Sequence, residues 1–228
     1  MSRHPQPCAK KGSQRWIQEL VNSKPAVLNE KIRAEFGLVS SEQIVWRSPL
    51  VEDRYAEYRD ESFLERMELA PQSLLLKEFW PKRGPQWDAL GKTQDGKVFL
   101  VEAKAHIKEM ISPPTGAAGV SLKKIQMALE ETRNFVNPKS DADWSRFFYQ
   151  FTNRMAHLYF LRVKNGIPAY LIFIYFVNDE AMSGPKTKAE WQAALTVMHS
   201  LLQTKKSKLD EHTAHVFVEV SELSDRNA

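Results

Sequence analysis

The spacing of apolar residues predicts three helices in the first third of the chain. Residues 14–36 contain two patterns in which apolar residues recur every three or four positions, and the second starts at Pro25, a residue that suits the first turn of a helix. A third helix is predicted for residues 55–69, where aromatic residues and methionine alternate with acids. Pro71 is expected to end that helix, because proline disrupts a helix interior.

Strand-like runs follow and predict a three-stranded meander. The runs cover residues 73–81, 86–92 and 97–105, and turn-forming residues separate them. Residues 109–120 contain two prolines and two glycines, so they are expected to form a loop that leaves the third strand. That loop is expected to close over a substrate or to contact DNA, and the alternative is a passive connector.

The second half of the chain alternates between helices and strands. Helices are predicted near residues 121–136, 143–163 and 188–203, and strands at residues 169–177 and 214–220. This order predicts an α/β fold in which a mixed β-sheet, containing the three-stranded meander, is flanked by helices.

The composition shows no break that would separate two domains. We therefore expect a single domain over residues 14–223, with an N-terminal helical extension and a core at about residues 55–177. Residues 1–13 are expected to be a disordered leader, since they are polar and contain no apolar run, and residues 224–228 to be a short tail.

Composition and charge narrow the class of protein only slightly. The 228 residues are 43% hydrophobic, which is enough to bury a core without disulfides, and the net charge of +4 is a weak indication of an anionic partner. The single cysteine, Cys8, excludes a disulfide framework and favours a reducing, cytoplasmic setting. The longest apolar stretch, residues 167–177, is too short for a membrane helix, so no membrane partner is expected.

Candidate chemistry is concentrated in the second and third predicted strands. Glu102, Lys104 and His106 stand at alternate positions, and side chains of a strand alternate between its two faces, so these three residues share one face. We interpret His106 as a partly buried, hydrogen-bonded histidine rather than a metal ligand, because no second histidine stands at metal-binding spacing.

The turn between these strands decides whether Asp88 joins that face. A three-residue loop at 94–96, with Gly96 in the left-handed conformation, sets Asp88 opposite Glu102, whereas a two-residue turn at 95–96 sets it opposite Ala103. We expect the three-residue loop, although a bulge near Asp88 would produce the same convergence.

Two converging carboxylates are hard oxygen ligands of the kind that Mg²⁺ or Mn²⁺ prefers, and these ions also accept water and phosphate oxygens. A bound ion would polarise a scissile phosphate and acidify a water molecule. We assign Lys104 an electrostatic role beside that water or the charge developing on phosphorus.

The residues Asp88, Glu102, Ala103 and Lys104 resemble the signature of the PD-(D/E)xK nuclease superfamily, in which an Asp on the second core strand precedes a Glu-x-Lys on the third. The proline of that signature is missing directly before Asp88, where Gln86 and Trp87 stand. The resemblance implies a restriction-endonuclease-like core over about residues 55–177. It also implies a Mg²⁺-dependent nuclease that hydrolyses phosphodiester bonds, with DNA as the expected substrate.

The resemblance also implies further site residues. The metal ligands would be Asp88, Glu102, Ala103 and an acid of the first core helix, for which Glu57 is our candidate and Glu61 and Asp53 are alternatives. Gln150 and Arg154, on a polar stripe of the helix at 143–163, resemble helix residues that reach the active site or the nucleic acid. Lys108 and Lys123 flank the predicted site and are expected to meet phosphates.

Three competing interpretations stay open at this stage. A Glu-x-Lys tripeptide is common, since Asp95-Gly96-Lys97 is a second acid-x-Lys in the same chain, and Glu102 with Lys104 could be an ordinary ion pair on a solvated sheet face. The chain could also be a catalytically inactive nucleic-acid-binding module of the same fold, or a protein-interaction domain.

Overall fold

The computed structural model describes residues 3–39, 42–69, 74–204 and 206–223. In this part of the chain, a five-stranded mixed sheet is flanked by helices. The expected α/β class is therefore confirmed.

Seven strands and seven α-helices carry the described chain. The elements before residue 80 are β1 (Arg3–His4), α1 (Gly12–Asn22), α2 (Pro25–Phe36), β2 (Ile44–Ser48), β3 (Glu57–Tyr58), α3 (Glu61–Arg66) and α4 (Leu76–Phe79). The later elements are β4 (Ala89–Thr93), β5 (Val98–Lys104), α5 (Gly119–Val136), α6 (Tyr149–Tyr159), β6 (Ala169–Val177), α7 (Lys188–Leu201) and β7 (Thr213–Glu219). The loop expected at 109–120 is confirmed in outline, because α5 begins only at Gly119.

The sheet has the strand order β2-β4-β5-β6-β7. The pairs β2·β4 and β4·β5 are antiparallel, whereas β5·β6 and β6·β7 are parallel. A three-stranded meander is thus present, but its first strand is β2 and not the predicted run at 73–81. In β2, buried Ile44 and Trp46 alternate with exposed Val45, which is the pattern of a half-buried strand.

The predicted strand at 73–81 is wrong over its described part, since residues 76–79 form the one-turn helix α4. The side chain of Glu78 accepts the backbone N–H of Leu75 at 3.3 Å, which stabilises the first turn of a helix. Ser73 lies outside the described residues. A short run of leucines fits a strand and a buried helical turn equally well, and here the local capping bond favours the helix.

The helix predicted at 55–69 is confirmed only for Glu61–Arg66. Tyr55 and Asp60 have positive φ angles of 50° and 52°, and a left-handed residue interrupts a helix. Residues 57 and 58 instead form the strand β3. In the same way, Phe148 has a φ of 51°, so α6 starts at Tyr149 rather than near residue 143.

The expected disordered leader is wrong for residues 3–13. Strand β1 pairs with β3, and the Nε of Arg3 donates to Oδ1 of Asp53 at 3.0 Å. The side chain of Gln18 accepts the N–H of Ala9 at 2.9 Å, and Gly12 already belongs to α1. Polar contacts fix this segment, which is why hydropathy alone missed it. Residues 1, 2 and 224–228 lie outside the described residues.

The two faces of the sheet carry separate hydrophobic layers. Val101 and Ala103 of β5 pack with apolar residues of α1 and α2, whereas Val98 and Leu100 pack with residues of α5, α6 and α7. Side chains alternate along a strand, so Glu102 lies on the same face of β5 as Val98 and Leu100. This face packs against α6. The face of β5 that carries Glu102 and Lys104 is thus covered by a helix instead of solvent.

No helix within the described ranges has the length and apolar character that crossing a membrane requires.

Candidate active site

The hairpin between β4 and β5 sets the register of the site. Thr93 donates its N–H to the carbonyl of Lys97 at 3.0 Å and closes a three-residue loop, in which Gly96 has a φ of 90°. The expected three-residue loop is therefore present. Ala89 lies opposite Val101, and the N–H of the preceding Asp88 donates to the carbonyl of that same Val101 at 3.1 Å. The ladder therefore becomes irregular at Asp88, as a bulge near this residue would produce.

An opening between β4 and β5 begins at Asp88. A regular ladder would exchange two hydrogen bonds between Trp87 and Ala103, but the N–H of Trp87 donates to the carbonyl of Tyr58 at 3.1 Å. The N–H of Ala103 donates to Oδ2 of Asp88 at 2.7 Å. Because the strands diverge here, a cleft of about 440 Å³ forms, lined by Asp88, Glu102, Ala103 and Lys104 among others.

Glu102 is held between two cations. Its side chain is 3% exposed, the Nζ of Lys104 donates to Oε1, and the Nε of Arg154 donates to Oε2 at 2.8 Å. Burial alone would raise the pKa of Glu102, but the charges of Arg154 and Lys104 outweigh it and hold the pKa below its ordinary value. Glu102 is therefore an ionised carboxylate inside the protein.

Asp88 is in the opposite electrostatic situation. Burial raises the pKa of Asp88 well above its ordinary value, and repulsion from Glu102 and Glu57 raises it further. Lys104 and the Ala103 amide oppose this shift without cancelling it. The Asp88 carboxyl therefore keeps its proton more readily than a free aspartic acid, because the protein does not fully compensate a negative charge at this position.

The structure brings Glu57 into the same cleft, from β3 instead of a helix. Its side chain is buried, and Oε2 accepts from Nε2 of Gln86 at 2.5 Å and of Gln6 at 3.2 Å. Burial raises the pKa of Glu57, while these amide contacts lower it.

The two alternatives to Glu57 are placed elsewhere. Asp53 binds Arg3 and the hydroxyl of Tyr58, and Glu61 is exposed on α3. Neither of these two acids lines the cleft.

Helix α6 supplies the opposite wall. Oε1 of Gln150 accepts from the Nζ of Lys104 at 2.9 Å, and the Gln150 N–H donates to Oγ of Ser112 at 2.9 Å. Asn153, Arg154 and His157 are all buried, so this polar stripe of α6 is not a solvated helix face. Of the two candidates on α6, Gln150 contacts Lys104 and Arg154 contacts Glu102.

The two candidate lysines differ in position. Lys108 lines the cleft and also a second cavity of about 640 Å³, which includes Met182 and Pro185. Lys123 is exposed on α5 and does not line the cleft. The structure thus supports a place at the cleft for Lys108 only.

Sequence analysis missed Glu109 and Ser13 as cleft residues. Oε2 of Glu109 accepts the N–H of Ala105 at 2.6 Å, and Oε1 accepts the hydroxyl of Ser13 at 3.2 Å. Oε1 also lies 3.6 Å from Nε2 of half-buried His106. The position of Glu109 soon after the third strand was a usable signal, whereas nothing near Ser13 indicated its role.

The donor set fits a hard divalent cation that keeps part of its hydration. Among the described residues, no group of three or more His, Cys, Asp or Glu side chains is arranged to hold a metal ion. Asp88 and Glu102 nevertheless supply two carboxylates, and the repulsion that raises the pKa of Asp88 is what a cation would relieve. Ala103 can contribute only its backbone carbonyl, which points to the same side of β5 as the N–H that Asp88 accepts.

Comparisons of the chain with protein-family models, with curated proteins and with solved structures found no match.

Proposed function

We propose that this chain is a Mg²⁺-dependent or Mn²⁺-dependent nuclease that hydrolyses phosphodiester bonds in DNA, with a core of the PD-(D/E)xK type. The observation that carries the proposal is the convergence of Asp88, Glu102 and Lys104 in one cleft. Asp88 and the Glu-x-Lys residues lie on the two arms of one hairpin and meet through its register, which a chance Glu-x-Lys tripeptide would not require.

The order of elements supports the same proposal. The resemblance implies a core of a helix, three strands, a helix and a fourth strand. Elements α2, β2, β4, β5, α6 and β6 occur in that chain order, with β3, α3 and α4 between β2 and β4 and with α5 before α6. The first three strands are antiparallel and β6 is parallel to β5. The proposed core thus starts earlier than residue 55, at α2.

In the proposed mechanism, Asp88, Glu102 and the carbonyl of Ala103 would hold the cation. Glu57 would add a further carboxylate to this set. A bound cation of this kind supplies Lewis acidity for the phosphate and for a water molecule. Lys104 places its ammonium beside the negative charge that develops on the phosphate oxygens. Gln150 fixes the direction of that ammonium through its 2.9 Å hydrogen bond.

DNA as the substrate is supported by charge and by shape. The chain has a net charge of +4, and the exposed Lys108 stands where the cleft meets the second cavity. A polymer can occupy both cavities at once, whereas a small phosphodiester would fill only the first. With one exposed cysteine, Cys8, the chain suits the reducing cytoplasm.

One observation favours a second candidate, the inactive nucleic-acid-binding module. Both carboxylate oxygens of Glu102 already contact cationic side chains of the protein. A site that no longer binds metal would be stabilised by such internal neutralisation.

The test is cleavage of linear, circular and single-stranded DNA and of RNA, with Mg²⁺, Mn²⁺ or EDTA. We expect cleavage that EDTA and Glu102→Gln abolish and that Glu131→Gln, at a partly exposed ion pair with Lys164, leaves intact. Metal-independent binding without cleavage on every substrate would favour the inactive module. Failure to bind either DNA or metal would point to a protein-interaction domain.

A further inference from the structure

All three side-chain nitrogens of Arg154 make polar contacts beside the candidate metal site. Its side chain is 6% exposed, and Glu102 Oε2 lies 2.8 Å from Nε and 2.6 Å from Nη2. Nη1 donates to Oδ1 of Asn153 at 2.8 Å, and Nη2 also donates to the carbonyl of Gln86 at 2.9 Å.

The position of Arg154 conflicts with that of a cation on Glu102. A guanidinium stays charged at every pH that proteins tolerate, so it cannot leave a metal site by losing a proton. Like charges repel strongly at a separation of a few ångströms in a buried site. A divalent ion that binds Glu102 must therefore compete with Arg154 for Oε2.

We propose that Arg154 is an exchangeable counter-ion: it neutralises Glu102 until the metal binds, and it then turns to a phosphate of the DNA. This inference rests on the proposed function and deepens it. The bonds to Asn153 and to the carbonyl of Gln86 keep the guanidinium at the cleft wall after the metal has bound Glu102. A planar guanidinium released in this way suits two oxygens of a phosphate group.

The exchange couples the two ligands of the site. Metal frees Arg154 for DNA, and DNA that holds Arg154 frees Glu102 for metal, so each ligand raises the affinity for the other by the same factor. Metal alone is expected to bind weakly, in agreement with the lack of a ready-made three-residue metal group within the described ranges.

The first part of the test measures metal binding without nucleic acid. Titration calorimetry with Mn²⁺ and with Mg²⁺ should show binding to Arg154→Gln that is at least about tenfold tighter than to the unaltered chain. Arg154→Lys, which keeps a positive charge but loses the fork, should lie between them. Arg162→Gln is the matched control, since Arg162 donates to the carbonyl of Ala169 away from the cleft.

The second part measures DNA affinity by fluorescence anisotropy in EDTA. The DNA affinity of Arg154→Gln should be within about twofold of that of the unaltered chain, because without metal the arginine of the unaltered chain is paired with Glu102 and not with DNA. A plain phosphate contact would instead weaken DNA binding in EDTA. Thermal unfolding shows whether Arg154→Gln folds. If it does not, both measurements are made on Arg154→Lys.

Unchanged or weaker metal binding in the folded variants overturns the inference, as does a loss of DNA affinity in EDTA. These outcomes are independent of cleavage. If the unaltered chain cleaves DNA but Arg154→Gln binds metal with unchanged affinity, the nuclease proposal stands and the exchange is excluded. If Arg154→Gln binds metal more tightly but the unaltered chain does not cleave DNA, the exchange stands and the nuclease proposal is excluded.

Discussion

Asp88 is bound to the backbone of β5 through Ala103, whose N–H donates to Oδ2 at 2.7 Å. The carboxylate takes the place of the carbonyl that a regular ladder would provide, so Asp88 both ends the pairing of β4 with β5 and lines the opening that results. The sheet thus fixes the position of this acid, while burial and then the neighbouring acids Glu102 and Glu57 raise its pKa.

The first prediction concerns Asp88→Asn, which keeps an oxygen for the Ala103 amide. Because the folded state raises the pKa of Asp88, the carboxyl favours folding below its unfolded pKa, and this contribution is lost as the pH rises through the folded pKa. At pH 8 without metal, the variant should therefore be at least as stable as the unaltered chain. Thermal unfolding in EDTA measures this.

Adding Mg²⁺ should raise the Tm of the unaltered chain but not of Asp88→Asn, since the variant loses one of the two carboxylates, Asp88 and Glu102, that are proposed to hold the cation. Asp95→Asn is the control, because Asp95 lies in the loop of the same hairpin and pairs with Lys97. An equal Mg²⁺ shift in Asp88→Asn would remove this residue from the metal site.

The second prediction compares Lys104 with Lys97, the lysines of the two acid-x-Lys tripeptides. Lys104→Gln should lower the rate of DNA cleavage at least about 100-fold, since it removes the positive charge beside the phosphate. Lys97→Gln should cleave normally, because Lys97 pairs with Asp95 and Glu42 away from the cleft. Circular dichroism checks that both variants fold, and retained cleavage by folded Lys104→Gln would exclude Lys104 from the mechanism.

The third prediction concerns Gly96 in the hairpin loop. Its φ of 90° is strained for residues with a side chain, although a Cβ there would meet nothing within 4 Å. Gly96→Val should therefore lower the free energy of unfolding by about 1–2 kcal/mol through the backbone alone. Gly96→Asn should cost less, and equal stability of the two variants in urea unfolding would contradict the left-handed conformation.

The fourth prediction concerns the pH dependence of stability. Burial lowers the pKa of His157 to about 3, and the side chain is 1% exposed. The neutral form thus stabilises the fold above the unfolded pKa of about 6.5, and this contribution is lost as the pH falls from there towards 3, at up to about 1.4 kcal/mol per pH unit. His157→Phe should flatten the fall in stability between pH 6 and 4. An unchanged slope would mean that His157 is protonated in the folded chain.

Elements with strong periodicity could be predicted from the sequence with small errors at their ends. Strand β6 has nine consecutive residues that are apolar, mostly β-branched or aromatic, and its bounds match the prediction. Helix α7 starts at Lys188 as predicted, because Thr187 accepts the N–H of Glu190 and caps the first turn. Strand β2 was missed because a five-residue strand gives too few alternations to stand out.

The candidate site was predictable where one hairpin determined it and unpredictable where tertiary contacts did. The spacing of Asp88, Glu102 and Lys104 and the turn residue Gly96 were sufficient for the first part. The place of Glu57 depends on β3, which pairs with residues 3 and 4 and not with the core strands. Glutamine contacts to a buried acid leave no periodic trace in the sequence.

The pairing of β1 with β3 bears on how a minimal version of this protein should be cut. A shortened chain that starts at Gln14, the boundary indicated by hydropathy, would retain Asp88, Glu102 and Lys104. It would lose the Gln6 amide that contacts Glu57 and the Ser13 hydroxyl that contacts Glu109. A shortened chain would then contain every residue of the proposed metal site and lack the N-terminal contacts that hold Glu57 and Glu109 in the cleft.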